Sequence, residues 1–122
     1  MIEQETVSVI SKLKQQVVCP VELALRVLGG KWRGSILYHL RNGALRFNEL
    51  KYKVQDAVVD YGDADNYLSN KVLSNHLREL ISFELVEKTN LAQGYAEYGL
   101  TRKGLSVMPI LLDLFYWGQK EL

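Results

Sequence analysis

The chain has 122 residues, 48% hydrophobic and 24% charged, with a net charge of +1, which describes one soluble globular domain able to bury a single core. No window reaches the roughly 18 consecutive apolar residues of a membrane span, and the start MIEQETVSVISKLKQQVV lacks the apolar stretch of a signal peptide. The expected location is therefore the cytoplasm, with no membrane partner, and the lone cysteine, Cys19, excludes an internal disulfide.

Val9 or Ile10, Leu13 and Val17 space as the narrow apolar edge of a first helix, which needs a partner surface to be stable. Cys19-Pro20 breaks it. Val21 to Leu28 forms a second helix, ended by Gly29-Gly30 because glycine accepts the left-handed cap conformation. Trp32, Ile36, Leu37 and Leu40 mark a third helix ending near Asn42-Gly43, and Arg46-Phe47 leads into a short one from Asn48 to about Val54. The following VQDAVVDYGDADNYL reads either as an acidic loop or as an irregular helical extension, and it makes 55–68 an acidic insertion. It is no calcium loop: Asp63 and Asp65 fit the first two positions, but Ser74 stands where the bidentate acid belongs.

Leu68 to Leu85 carries two chemically different faces. Leu73, Leu77, Leu80 and Ile81 form a stripe at helical spacing that must be buried. Opposite them, Asn70, Lys71, Ser74, Asn75 and Arg78 share one strip, and these side chains can hydrogen-bond base edges and phosphates. Ser69 is placed to cap the helix. The residues 69–84 therefore read as a recognition helix, against the plainer alternative of a solvated face rich in amides. Arg78 has two candidate partners, a phosphate or Glu49 on the neighbouring helix.

Past this helix, Leu85 to Thr89 and Tyr95 to Leu100 are β-prone runs joined by NLAQG, with Gly94 available for a positive φ. They make 85–101 a hairpin. Thr101 can cap a last helix running to about Lys120, which Pro109 should bend and which is apolar on nearly every side. Helices, a recognition helix and a hairpin in this order define a mainly α (α+β) fold, a winged helix-turn-helix with a two-stranded wing in a single domain spanning 1–122.

The near-neutral total hides a segregation of charge. Pro20 to Gln55 holds seven basic residues against Glu22 and Glu49, whereas 56–66 holds four aspartates and no base. Phosphate binding depends on the local field, so a basic surface remains available.

The chain resembles the HxlR-type transcriptional regulators of the wider MarR-like group. The resemblance rests on CPVELAL at Cys19 to Leu25, LGGKW at Leu28 to Trp32, RFNEL at Arg46 to Leu50, and the string from Ser69 to Leu80. It continues through LVEK at Leu85 to Lys88, EYGLTRKG at Glu97 to Gly104, Pro109, and WG at Trp117-Gly118. It implies a homodimeric bacterial DNA-binding regulator, a repressor of transcription whose effector is a small molecule or a redox signal. Its N- and C-terminal helices, here 1–18 and 102–122, would form the dimer interface. Such a dimer reads a pseudo-palindrome on double-stranded DNA with half-sites about one helical turn, ~34 Å, apart or a multiple of that. Asn70, Lys71, Ser74 and Asn75 would contact base edges and flanking phosphates. Lys31, Arg33 and Arg46, which precede or open helices, would clamp phosphates, against the alternative of solvated surface cations, and Cys19 would sense oxidants or electrophiles, against the plainer alternative of a half-buried structural cysteine.

Two features depart from the family pattern. The acidic insertion lengthens the connection before the recognition helix by roughly a dozen residues, and its charge opposes phosphate approach. The wing segment NLAQGYA has no basic residue to enter a minor groove. Both features favour the alternative of a winged-helix protein-interaction module with weak or lost sequence-specific DNA binding. An enzyme is not expected, since His39, at a core edge, and His76, partly exposed, lie on different helices with no acid–base or metal spacing, and no cofactor is read.

Overall fold

Pro20 opens the first complete helix. Its ring fixes φ near the helical value and removes a donor that the first turn leaves unpaired in any case, so α1 spans Pro20–Leu28. Gly30, at φ 96°, then takes the left-handed conformation that turns the chain out of the helix. The computed structural model describes residues 12–16, 19–57 and 67–122, with 12–16 helical and Leu13 against the core. Val9, Ile10, Val17 and the acidic stretch 58–66, with Asp60, Asp63 and Asp65, lie outside the described residues.

Helix α2 (Arg33–His39) closes earlier than the sequence predicts, because the Leu40 amide already bonds the Leu37 and Tyr38 carbonyls and tightens the last turn. Two residues, Leu45–Arg46, then form β1, and α3 (Phe47–Asp56) follows directly. Glu49 Oε1 accepts the Arg46 amide at 3.0 Å, so the acid in the first turn pairs an orphan donor at the helix start.

The long helix is α4 (Asn70–Ser82), capped as expected by Ser69, whose Oγ accepts the Val72 amide at 3.1 Å. Its other end was not foreseen. The Leu85 amide bonds Leu80 O at 3.0 Å and the Glu84 amide bonds Ile81 O at 2.9 Å, the paired bonds of a Schellman turn. That turn needs a left-handed residue, and Glu84 supplies it at φ 66° in place of glycine.

Strands β2 (Val86–Asn90) and β3 (Ala96–Leu100) pair antiparallel, with Lys88 opposite Tyr98 and Thr89 opposite Glu97. A one-turn 3-10 helix, Ala92–Gly94, joins them through left-handed Gln93 and Gly94. The sheet gains a third strand beyond the expected two: β1 lies on the other side of β3, Leu45 facing Tyr98 and Arg46 facing Glu97.

The expected single last helix is two helices, α5 (Arg102–Ser106) and α6 (Met108–Glu121), divided at Val107. Pro109 therefore does not bend a helix; it sits in the first turn of α6, where a missing amide costs nothing. Thr101 caps α5 as expected, its Oγ1 accepting the Gly104 amide at 3.0 Å. Gly104 itself is required by close approach, for a Cβ there would lie 2.2 Å from the Leu85 carbonyl oxygen.

The core collects one face from each helix. Ile36, Leu37 and Leu40 meet Leu50 and Val54 of α3 and Leu73, Leu77 and Leu80 of α4, all essentially inaccessible, with Leu68 and Val86 beside them. Burying each such side chain contributes about 1.5–3 kcal/mol. Met108 and Leu111 bring α6 onto this core. Of the four expected leucine and isoleucine positions of α4, three are fully buried and Ile81 is half-buried at the edge.

Candidate nucleic-acid interface

With Leu73, Leu77 and Leu80 directed inward, the geometry of a helix forces the residues between them outward. Asn70, Lys71, Asn75 and Arg78 are exposed along α4 and Ser74 is half-exposed among them. The helix start carries the Ser69 cap, which orders the first turn that carries Asn70 and Lys71. Arg78 Nη1 donates to Asn75 Oδ1 at 3.1 Å, which fixes the amide's orientation. The Arg78–Glu49 pairing is not formed: Glu49 accepts the Arg46 amide, and Arg78 donates to Asn75 instead.

Arg46 stands at that same helix start, exposed, with its guanidinium 4.3 Å over the Tyr95 ring. The hairpin tip has no cation of its own, but β1 lies beside β3 and brings Arg46 to the wing. Sequence reasoning placed Arg46 before a helix and missed this, although the β-prone Leu45-Arg46-Phe47 carried a faint signal. Lys88 Nζ, also missed, lies 5.9 Å from the Tyr98 ring on the wing's own strand. Lys31 is exposed in the turn before α2, its ammonium 5.4 Å from the Trp32 ring.

Arg33 is different. The sequence reading made it a phosphate clamp, but its side chain is only 13% exposed and its donors are taken inside the fold. Nη1 donates to the Arg26 and Val27 carbonyls at 3.0 and 3.2 Å, Nε donates to His76 Nδ1 at 3.3 Å, and Nη2 pairs with Glu79. It thus holds the exit of α1 to the middle of α4. Burial, and secondarily the Arg33 charge, push the His76 imidazole below its ordinary 6.5, so it accepts from Arg33 as a neutral ring.

Cys19 is exposed at the N-cap of α1, a helix with no fully buried residue. Between α1, α2 and α6 lies an apolar groove of about 940 Å³, walled by Val21, Leu25, Leu28, Ile110, Leu114 and Phe115. Val21 and Leu25 are 65% and 60% exposed, and Trp117 further along α6 is 68% exposed. None of the described helices is long and apolar enough to cross a membrane.

A capped helix with a polar outer strip, a helix packed ahead of it and an antiparallel hairpin behind it define the DNA-binding winged helix-turn-helix proteins. Residues 27–122 match the HxlR-like helix-turn-helix family, and the chain belongs to it. The HTH-type transcriptional regulator YdeP of Bacillus subtilis (strain 168) is 35% identical over 104 residues, 84% of this chain and 73% of YdeP. Among solved structures, the redox regulator HypR in its oxidized form superposes with a TM-score of 0.69 at 34% identity, covering 84% of this chain and 96% of that one. The reduced form of the transcriptional regulator YodB from B. subtilis gives 0.65 at 28% identity, covering 85% and 94%. This protein is accordingly a transcriptional regulator of the helix-turn-helix type.

Proposed function

We propose that the protein is a homodimeric repressor that lays α4 of each subunit into successive major grooves of a pseudo-palindromic operator. The outward strip of α4 carries this reading, because its amides and lysine are the donors and acceptors that base edges and phosphates require. Asn70, Lys71, Ser74 and Asn75 contact bases and flanking phosphates, Arg78 acts through Asn75 or on the backbone, and Lys31 and Arg46 bind phosphates. The protein acts in the cytoplasm.

The dimer is supported by the apolar belt on α1 and α6, since a monomer rarely leaves so continuous an apolar face in water. Exposed Cys19 lies on the helix that walls the same groove, which supports a redox signal. Two Cys19 thiols, one from each subunit, would form a disulfide, giving their protons and electrons to an oxidant of the peroxide class. An effector in the groove would act on the same helices.

The test is a fluorescence anisotropy titration of the protein on DNA from its own upstream region. Lys71→Ala with Asn75→Ala should weaken binding by at least tenfold; unchanged binding would remove the assigned surface. A salt-independent affinity would instead favour the protein-interaction module, a reading motivated by the cation-free wing tip and by Arg33 being withdrawn into the fold.

A further inference from the structure

A second cleft, of about 430 Å³, opens where α2 ends and the chain turns into β1. Tyr38, His39, Arg41, Asn42, Leu45 and Lys53 line it, and none of its lining residues is acidic. Arg41 is held in place: Nη1 donates to the Tyr38 carbonyl at 2.9 Å and the guanidinium lies 3.8 Å over the Tyr38 ring. Among the described residues the guanidinium makes no other hydrogen bond, so further donors remain for a ligand. Among the described residues the Lys53 ammonium makes no hydrogen bond or ion pair.

Three nitrogen bases thus face one small space without a counter-charge among the described residues. Burial, then the Arg41 charge, then the Lys53 charge push His39 below its ordinary 6.5, so both cations lie within electrostatic reach of the imidazole. The cleft is large enough for a small ligand. Its position sets it apart from the DNA-facing strip. Arg33, whose side chain bonds His76 and Glu79 of α4, stands at the other end of α2, a helix length of about 10 Å away. Tyr38 instead stacks on Phe115 of α6, with ring centroids 5.2 Å apart and planes at 9°.

We propose that this cleft binds a small organic anion, its carboxylate or phosphate group held between Arg41 and Lys53 with Asn42 as a further donor. The apolar part of the ligand rests on Ala44 and Leu45. Charge-assisted bonds to a guanidinium and an ammonium supply the affinity, and the Tyr38–Phe115 stack places the bound anion beside the apolar belt. The site does not depend on the DNA-binding reading, and either can fail alone.

Sodium benzoate and sodium phosphate, each against sodium chloride at equal ionic strength, are titrated into the full chain while amide NMR shifts are followed. Saturable shifts at Asn42, Gly43 and Ala44 are expected with at least one probe, at least tenfold weaker in R41Q/K53Q. Lys53→Gln alone serves if the double variant does not fold. Identical responses to chloride, or shifts unaffected by the substitutions, would overturn the site. So would an anisotropy titration in which R41Q/K53Q loses as much DNA affinity as Lys71→Ala, because the cations would then serve the DNA backbone.

Discussion

Arg33 Nε donates to His76 Nδ1 at 3.3 Å, so the first residue of α2 grips the middle of α4. The same guanidinium reaches two carbonyls of α1 and the Glu79 carboxylate. Replacing it strands several partners at once. Arg33→Met should lower stability by about 1–3 kcal/mol in urea unfolding, the carboxylate contributing little because Glu79 is 51% exposed. A loss within a few tenths of a kcal/mol would mean that these bonds are not formed in solution.

A cation that contacts phosphate and one that does not respond differently to salt. Each phosphate contact adds roughly one to the slope of log affinity against log salt. Lys71→Gln and Arg46→Gln should each reduce the slope by about one. Arg33→Lys, compared at a temperature where it is folded, should leave the slope unchanged, and a reduction there would return Arg33 to the phosphate contacts.

Both histidines are held below 6.5 in the fold, His76 by burial and then Arg33, His39 by burial and then Arg41 and Lys53. A depressed histidine favours the neutral ring in the folded state, so the unfolded chain takes up protons first on acidification. Their contribution is complete above the unfolded value near 6.5 and is lost progressively as pH falls from there through the lower folded values. The urea midpoint should therefore be lower at about pH 5.5 than at about pH 7.5, and His76→Gln should shrink that difference. An equal difference in the variant would assign the pH response elsewhere.

Backbone geometry gives a pair of opposite expectations. Glu84 holds φ 66°, a conformation that costs an L-residue roughly 1–2 kcal/mol, so Glu84→Gly should stabilise by about 0.5–1 kcal/mol once the greater freedom of the unfolded chain is subtracted. Gly104→Ala should destabilise by about 1–3 kcal/mol, since its Cβ would strike the Leu85 carbonyl. Thermal unfolding of the two variants measures both, and a stabilising Gly104→Ala would contradict the packing of α5 on Leu85.

Leucine spacing and the Ser69 hydroxyl made α4 legible before any coordinates, because both signals are local and repeat with the helix period. Thr101 was legible for the same reason. The two residues of β1 were not: a strand that short is defined by its partner Tyr98, more than fifty positions away. Nor was the Schellman turn, whose usual marker is a glycine that this chain replaces with Glu84. The internal bonding of Arg33 was hidden for a similar reason, since the acceptors that claim it come from α1 and α4 and converge only in space. Pro109 misled because the same ring that would bend a helix interior is neutral in a first turn.

Helix α1 has no fully buried residue, and its polar attachment to the rest of the fold is at its exit, where Arg33 takes the Arg26 and Val27 carbonyls. Among the described residues it is thus held by side-chain hydrogen bonds at that end alone, with Arg33 as the pin. A nine-residue helix is about 13 Å long, so force applied to the Cys19 end acts with that whole arm about the pin. The pin is also the residue bonded to His76 and Glu79, so torque on α1 would be delivered to the middle of α4 through these polar bonds.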